Sequence, residues 1–122
     1  MLNEDVDFDV PVGESANPTG DHSSARGPLE HKVKSWPQFF EANASGAKTF
    51  DLRRSTDRDY RVGDYLRMQE FEPNTARYTG RELLVQITYV TSAEFPCALS
   101  DNGLNPGFCI LGFHLVLPTS GA

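Results

Sequence analysis

The chain has little of several things, and each shortage excludes something. Its 122 residues include only two cysteines, Cys97 and Cys109. They form neither a C-x-x-C pair nor a metal-ligand spacing, so a zinc ribbon and a disulfide-framework fold are excluded. Both lie near apolar residues and read as buried free thiols. No run of about 18 apolar residues is present to span a bilayer as a helix. The first ten residues, MLNEDVDFDV, are acidic and lack the basic and apolar segments of a secretory signal, so a cytoplasmic location is expected. No glycine-rich phosphate loop or other cofactor fingerprint occurs, so neither a cofactor nor a metal is expected. No internal repeat is visible.

What is present is unevenly distributed. The formal net charge is −6. Residues 1–30 contain seven acids and one base, Arg26, whereas residues 31–122 contain ten of each. The imbalance therefore lies entirely at the N-terminal end. Residues 1–29 are rich in Gly, Pro, Ser, Asn and acids and have few large apolar side chains. Such a segment buries too little surface to offset its ordering entropy, so a disordered acidic tail is expected. It reads either as a solubilising extension or as an acidic arm that competes with nucleic acid for a basic site. A single domain is expected over 30–118, with a flexible C-terminus at 119–122.

Within the domain, His31–Ser35 predicts a short strand. Trp36-Pro37 opens a helix over 37–44, because proline is tolerated in a first turn, and Gly46 stops it. Phe39, Phe40 and Ala44 share a helical side expected to plug a core, and the same packing is expected of Trp36. From Lys48 the period becomes two, with Phe50 and Leu52 expected to face the core and Thr49, Asp51 and Arg53 the other side. Ser55–Val62 reads as a polar loop and Gly63-Asp64 as a turn. Strands follow at Tyr65–Phe71, Glu82–Thr91 and Gly107–Leu117, with a turn at Pro73-Asn74 and an irregular loop over 92–106. The fold class is therefore α+β and mainly β: five or six strands with one or two short helices, in a closed barrel or a sandwich.

Gly46-Ala47-Lys48-Thr49-Phe50-Asp51-Leu52-Arg53 resembles the ASCH signature, roughly G-x-K-x-x-E-x-R. Thr56–Asp64, His31-Lys32-Val33-Lys34, Trp36–Phe40, Tyr78-Thr79-Gly80-Arg81 and Gly107–Leu111 are similar to an uncharacterised ASCH-like branch found often in bacteria and phages. The resemblance spans about residues 31–117 and rests on the order and spacing of these pieces. It implies a small PUA-like β-barrel with a cleft beside the signature. It also implies RNA binding, as family members are thought to bind RNA; a few hydrolyse acylated nucleosides, and ribonuclease activity has been proposed for others.

The residues suit such a cleft on their own chemistry. Thr49, Asp51 and Arg53 put a hydroxyl, a carboxylate and a guanidinium in one row, and Lys48 stands at the strand's start. Lys48, Arg53, Arg58 and Lys34 are candidate phosphate contacts. Asp51 is a candidate for reading a base edge or for setting Arg53. Tyr60 and Tyr78 are candidate stacking platforms, and His31 a candidate cleft cation. The other histidines offer less: His22 lies in the tail, and His114 reads as a core or edge residue.

Catalytic candidates are Lys48, Asp51 and Thr49. Lys48 matches the lysine of the family's amidohydrolases, but Asp51 stands where their threonine nucleophile would be, and an aspartate does not replace an activated hydroxyl. Glu94 is placed only by region against their glutamate. Asp57, Asp59 and Asp64 are the nearest approach to a carboxylate cluster for a metal nuclease, but Arg58 and Arg61 lie among them. The leading expectation is a monomeric, non-enzymatic module for RNA or a modified nucleoside, without membrane association. The alternatives are a hydrolase of RNA or acylated nucleosides, and a phage-derived protein-interaction module whose acidic tail engages a protein partner.

Overall fold

A computed structural model describes residues 10–11, 26–99 and 103–121. The described elements are β1 (Val10–Pro11), β2 (Leu29–Ser35), α1 (Pro37–Ala44), β3 (Phe50–Arg54), β4 (Tyr65–Glu72), β5 (Arg77–Ser92) and β6 (Phe108–Ser120). All six strands join one sheet in the order β1-β2-β4-β5-β6-β3. The protein is thus mainly β with one short helix. The β2–β4 pair is parallel and every other pair antiparallel.

The helix forms where proline and glycine punctuate the chain. Trp36 is the N-cap in an extended conformation and Pro37 begins the first turn. The Trp36 carbonyl accepts from the Phe39 and Phe40 amides at 3.0 and 2.8 Å. The exit runs through Gly46 at φ +86°, a left-handed conformation that glycine adopts without a Cβ penalty. The buried Asn43 side chain donates to the Lys48 carbonyl at 2.8 Å. Helix end and β3 start are thereby held together, which fixes where Lys48 stands.

The core lies on the concave side of the sheet. Val33, Leu66, Met68, Leu83, Val85, Ile87, Leu111 and Phe113 supply it from β2, β4, β5 and β6, and Phe40 covers it from α1. Arg81 ties that helix down: it pairs with Glu41 of α1 at 2.7 Å and with the buried Glu70 of β4 at 3.4 Å. Its guanidinium also lies 5.0 Å from the Phe40 ring centroid.

Several expectations meet the structure differently. The ladder is not closed into a barrel: β3 pairs only with β6, and no backbone pairing joins it to β2. The ordered domain takes in more than 30–118, since Arg26 and Leu29 are bonded into it and β6 continues to Ser120. Residues 1–9 and 12–25 of the expected tail, with His22, lie outside the described residues. Phe40 is fully buried, but Trp36 and Phe39 are 49% and 45% exposed rather than packed in the core. Cys109 is buried and Cys97 exposed, so only one thiol is buried. His114 is exposed on β6.

Candidate functional site

β3 carries the largest departure from expectation. Its alternation is present but inverted: Asp51 and Arg53 are half-buried, while Phe50 and Leu52 are 50% and 54% exposed. The register explains the inversion. Asp51 and Arg53 stand opposite Leu111 and Cys109 of β6, both buried. Directly opposed residues share a face, so the two charged side chains share the concave side and the apolar pair turns outward.

The free edge of β3, the end of β2 and the start of α1 bound a groove of about 370 Å³. Lys34, Trp36, Phe39, Lys48, Phe50, Asp51 and Arg53 line it, with Ser35 and Leu52. At its centre Asp51 holds two cations: one carboxylate oxygen accepts from Lys48 Nζ at 3.2 Å and the other from Arg53 Nε at 2.9 Å. Lys48 Nζ also donates to the Phe50 carbonyl at 2.7 Å and lies 4.8 Å from the Phe50 ring centroid. Arg53 Nη2 donates to the Lys34 carbonyl at 2.7 Å. The lining thus carries three cations and one acid. Exposed aromatic rings stand beside ordered cations, an arrangement suited to a flat ring bearing an anionic group.

Four sequence candidates, Lys34, Lys48, Asp51 and Arg53, therefore meet in one place. The remaining candidates lie elsewhere. Thr49 is exposed just ahead of β3, and its carbonyl accepts from the Phe113 amide at 3.0 Å. Arg58 and Tyr60 line a second pocket of about 320 Å³ together with Asp57, Asp59, Ser92, Glu94 and Cys109. Three acids and one arginine line that pocket, which disfavours a phosphate there. Tyr60 is buried at 8% exposure with its ring 4.9 Å from that of His31, so it is a core residue rather than an open platform. Tyr78 is 49% exposed and meets Phe71 edge-on at 5.1 Å, and Lys34 Nζ lies 4.4 Å from the same Phe71 ring.

His31 is fully buried and belongs to a structural hub rather than to the groove. Its Nε2 lies 2.7 Å from Asp64 Oδ2, and Asp64 is itself buried. Arg26 grips the same carboxylate with both terminal nitrogens, at 2.8 and 2.9 Å. The Leu29 and Arg61 amides donate to it at 3.1 and 3.0 Å. Burial works to raise the Asp64 pKa, but the hydrogen bonds from His31 and Arg26, the His31 charge and the Leu29 amide together hold it below its ordinary value. Asp64 does form the expected turn, its amide donating to the Arg61 carbonyl at 3.0 Å. Sequence reasoning missed its larger role because its partners Arg26, Leu29 and His31 lie 33–38 residues away. Asp57 and Asp59 do not join it, and among the described residues no three His, Cys, Asp or Glu side chains are grouped to hold a metal ion.

The groove's aromatic wall was also missed as a site feature. The visible signal was Trp36 ahead of Pro37: the N-cap residue stands outside the helix and need not follow its buried face. Among the described residues no helix is long and apolar enough to cross a membrane. Residues 30–113 match the family described as Domain of unknown function (DUF3850). The match covers more than half of the chain, which therefore belongs to that family. No curated protein sequence matches the chain.

Proposed function

We propose that this DUF3850 member is an ASCH-type, PUA-like module that binds single-stranded RNA or a nucleotide in the groove beside β3. The observation that carries this reading is the inverted β3. It presents Phe50 and Leu52 outward and keeps Lys48, Asp51 and Arg53 half-buried as an ion triad. Desolvating that many charges has a cost that only a use for them offsets. Lys48, Arg53 and Lys34 hold phosphate oxygens, arginine through its planar fork. Trp36, Phe39 or Phe50 supports a base, a contact worth about 1–3 kcal/mol per base. Asp51 sets the two cations and accepts from an exocyclic amino group at the rim. Few cations line the groove, so the ligand is short and is held by specific contacts rather than by many phosphates.

Binding is favoured over hydrolysis. Both Asp51 oxygens already accept from cations, which makes the carboxylate a positioned anion rather than a free general base. Thr49 is not among the groove's lining residues.

Trp36 is the only tryptophan in the chain, so its emission reports on the groove directly. Titration with a single-stranded RNA hexamer and with nucleoside monophosphates is expected to quench it saturably. Lys48→Ala is expected to weaken that binding about tenfold or more. Unchanged emission with every ligand, or quenching indifferent to Lys48→Ala, would refute the site.

A further inference from the structure

The gap in the sheet has the shape of a missing strand. On β3, the Thr49 carbonyl and the Ser55 amide bond to β6. Backbone groups alternate sides along a strand, so those of Leu52 face the gap, where Lys48 Nζ already takes the Phe50 carbonyl. On the far side, the Lys34 carbonyl of β2 also faces the gap, where Arg53 reaches it. Two strand edges thus look at one another across the groove, bridged by a side chain.

β1 is already aligned with that space. Val10 stands opposite Glu30, and Pro11 opposite Leu29, in an antiparallel ladder on the outer edge of β2. Continued toward the N-terminus, that register sets Phe8 opposite Lys32, Asp7 opposite Val33, Val6 opposite Lys34 and Asp5 opposite Ser35. The sequence there is Glu4-Asp5-Val6-Asp7-Phe8-Asp9-Val10, acid alternating with an apolar residue at the period of a strand. The parity matches both faces. Val33 and Ser35 are buried and Lys32 is exposed, so Asp5 and Asp7 turn toward the concave side, where Lys48 and Arg53 lie. Val6 and Phe8 turn outward, level with the exposed Trp36, Phe50 and Leu52.

We infer that residues 4–9 extend β1 along β2 into the gap, close the sheet between β2 and β3, and occupy the groove until a ligand displaces them. Six residues of strand span about 20 Å, the length of β2 from Glu30 to Ser35. The carboxylates substitute for ligand phosphates on the same cations, and Val6 and Phe8 cover the apolar wall. The competition with ligand rests on the nucleotide reading above; the placement of the arm does not.

The test uses the full chain and two readouts. Isotope-labelled protein is expected to show nuclear Overhauser contacts from Phe8 to Leu52 or Phe50, from Val6 to Trp36, and slowed amide exchange over residues 5–9. Absence of those contacts, with exchange at the unprotected rate, overturns the inference, as do contacts that form only between chains in a mixed-label sample. The second readout is hexamer affinity, by Trp36 emission, of the Asp5→Asn, Asp7→Asn, Asp9→Asn triple variant. It is expected to bind about fivefold more tightly, because the apparent constant scales with the open fraction. Intramolecular contacts with equal affinity in the two proteins overturn the competition while supporting the placement. The same contacts with no hexamer binding by either protein support the placement and overturn the nucleotide reading instead.

Discussion

Arg53 Nη2 donates to the carbonyl oxygen of Lys34 at 2.7 Å, so a side chain spans the gap between β3 and β2 where a backbone ladder would close the sheet. The same guanidinium donates to Asp51 through Nε at 2.9 Å. Bridging a carboxylate and a carbonyl in two directions needs the planar fork, which lysine lacks.

Arg53→Lys therefore keeps the charge and loses the bridge. A hydrogen bond to a charged group contributes about 1.5–3 kcal/mol, and we expect a loss of about 2 kcal/mol in urea unfolding. Hexamer affinity is expected to fall about tenfold, because Asp51 and Lys48 lose the partner that positions them. Unchanged urea midpoint and affinity would show that the bridge is incidental.

Much of the fold was legible in the sequence, because local chemistry set it. Pro37 and Gly46 bracket the helix at Pro37–Ala44 as their positions predict, and the period-two segments became β3 to β6 with small changes at the ends. The signature's position as a site was legible too, from Lys48, Asp51 and Arg53. Which side of β3 faces inward was not. Alternation gives the period but not the sense, and the usual rule puts the apolar side in. Here Phe50 and Leu52 face out because β3 is an edge strand beside a groove. The Asp64 hub was hidden for another reason: pairing with His31 and Arg26 is decided by the β2–β4 register, which no local pattern encodes.

Asp64→Asn is expected to be the most damaging single polar change. The variant leaves Arg26 and His31 facing an amide in a buried place, and removing one partner of a buried charge pair costs about 3–5 kcal/mol. Urea unfolding followed by Trp36 emission would measure it. A loss within 1 kcal/mol, a size about usual for exposed pairs, would mean that the hub does not hold β2 to the turn before β4.

The same carboxylate predicts a pH dependence. Its folded-state pKa lies below the ordinary 3.8. A depressed carboxylate contributes stability that is present above its unfolded pKa and lost as pH falls through the folded one. The stability difference between the natural chain and Asp64→Asn should therefore be constant from neutral pH to about pH 5 and shrink below that. A difference that widens on acidification would contradict the assignment.

The two thiols should separate cleanly in reactivity. Burial pushes the Cys109 thiol up to about 11, with Asp51 adding to the rise and Arg53 opposing it. The thiolate is the nucleophile, so Cys109 is both inaccessible and almost wholly protonated at pH 8. Cys97 is exposed. Iodoacetamide at pH 8 is expected to label Cys97 within minutes and Cys109 only in denaturant, read by mass spectrometry of the digested protein. Arg53→Ala removes the one cation opposing that rise. It should not speed Cys109 labelling if the carboxylate and burial govern the thiol. Faster labelling in that variant would mean that Arg53 shields Cys109 from solvent, and that its role in the groove is to close the concave side as well as to bind.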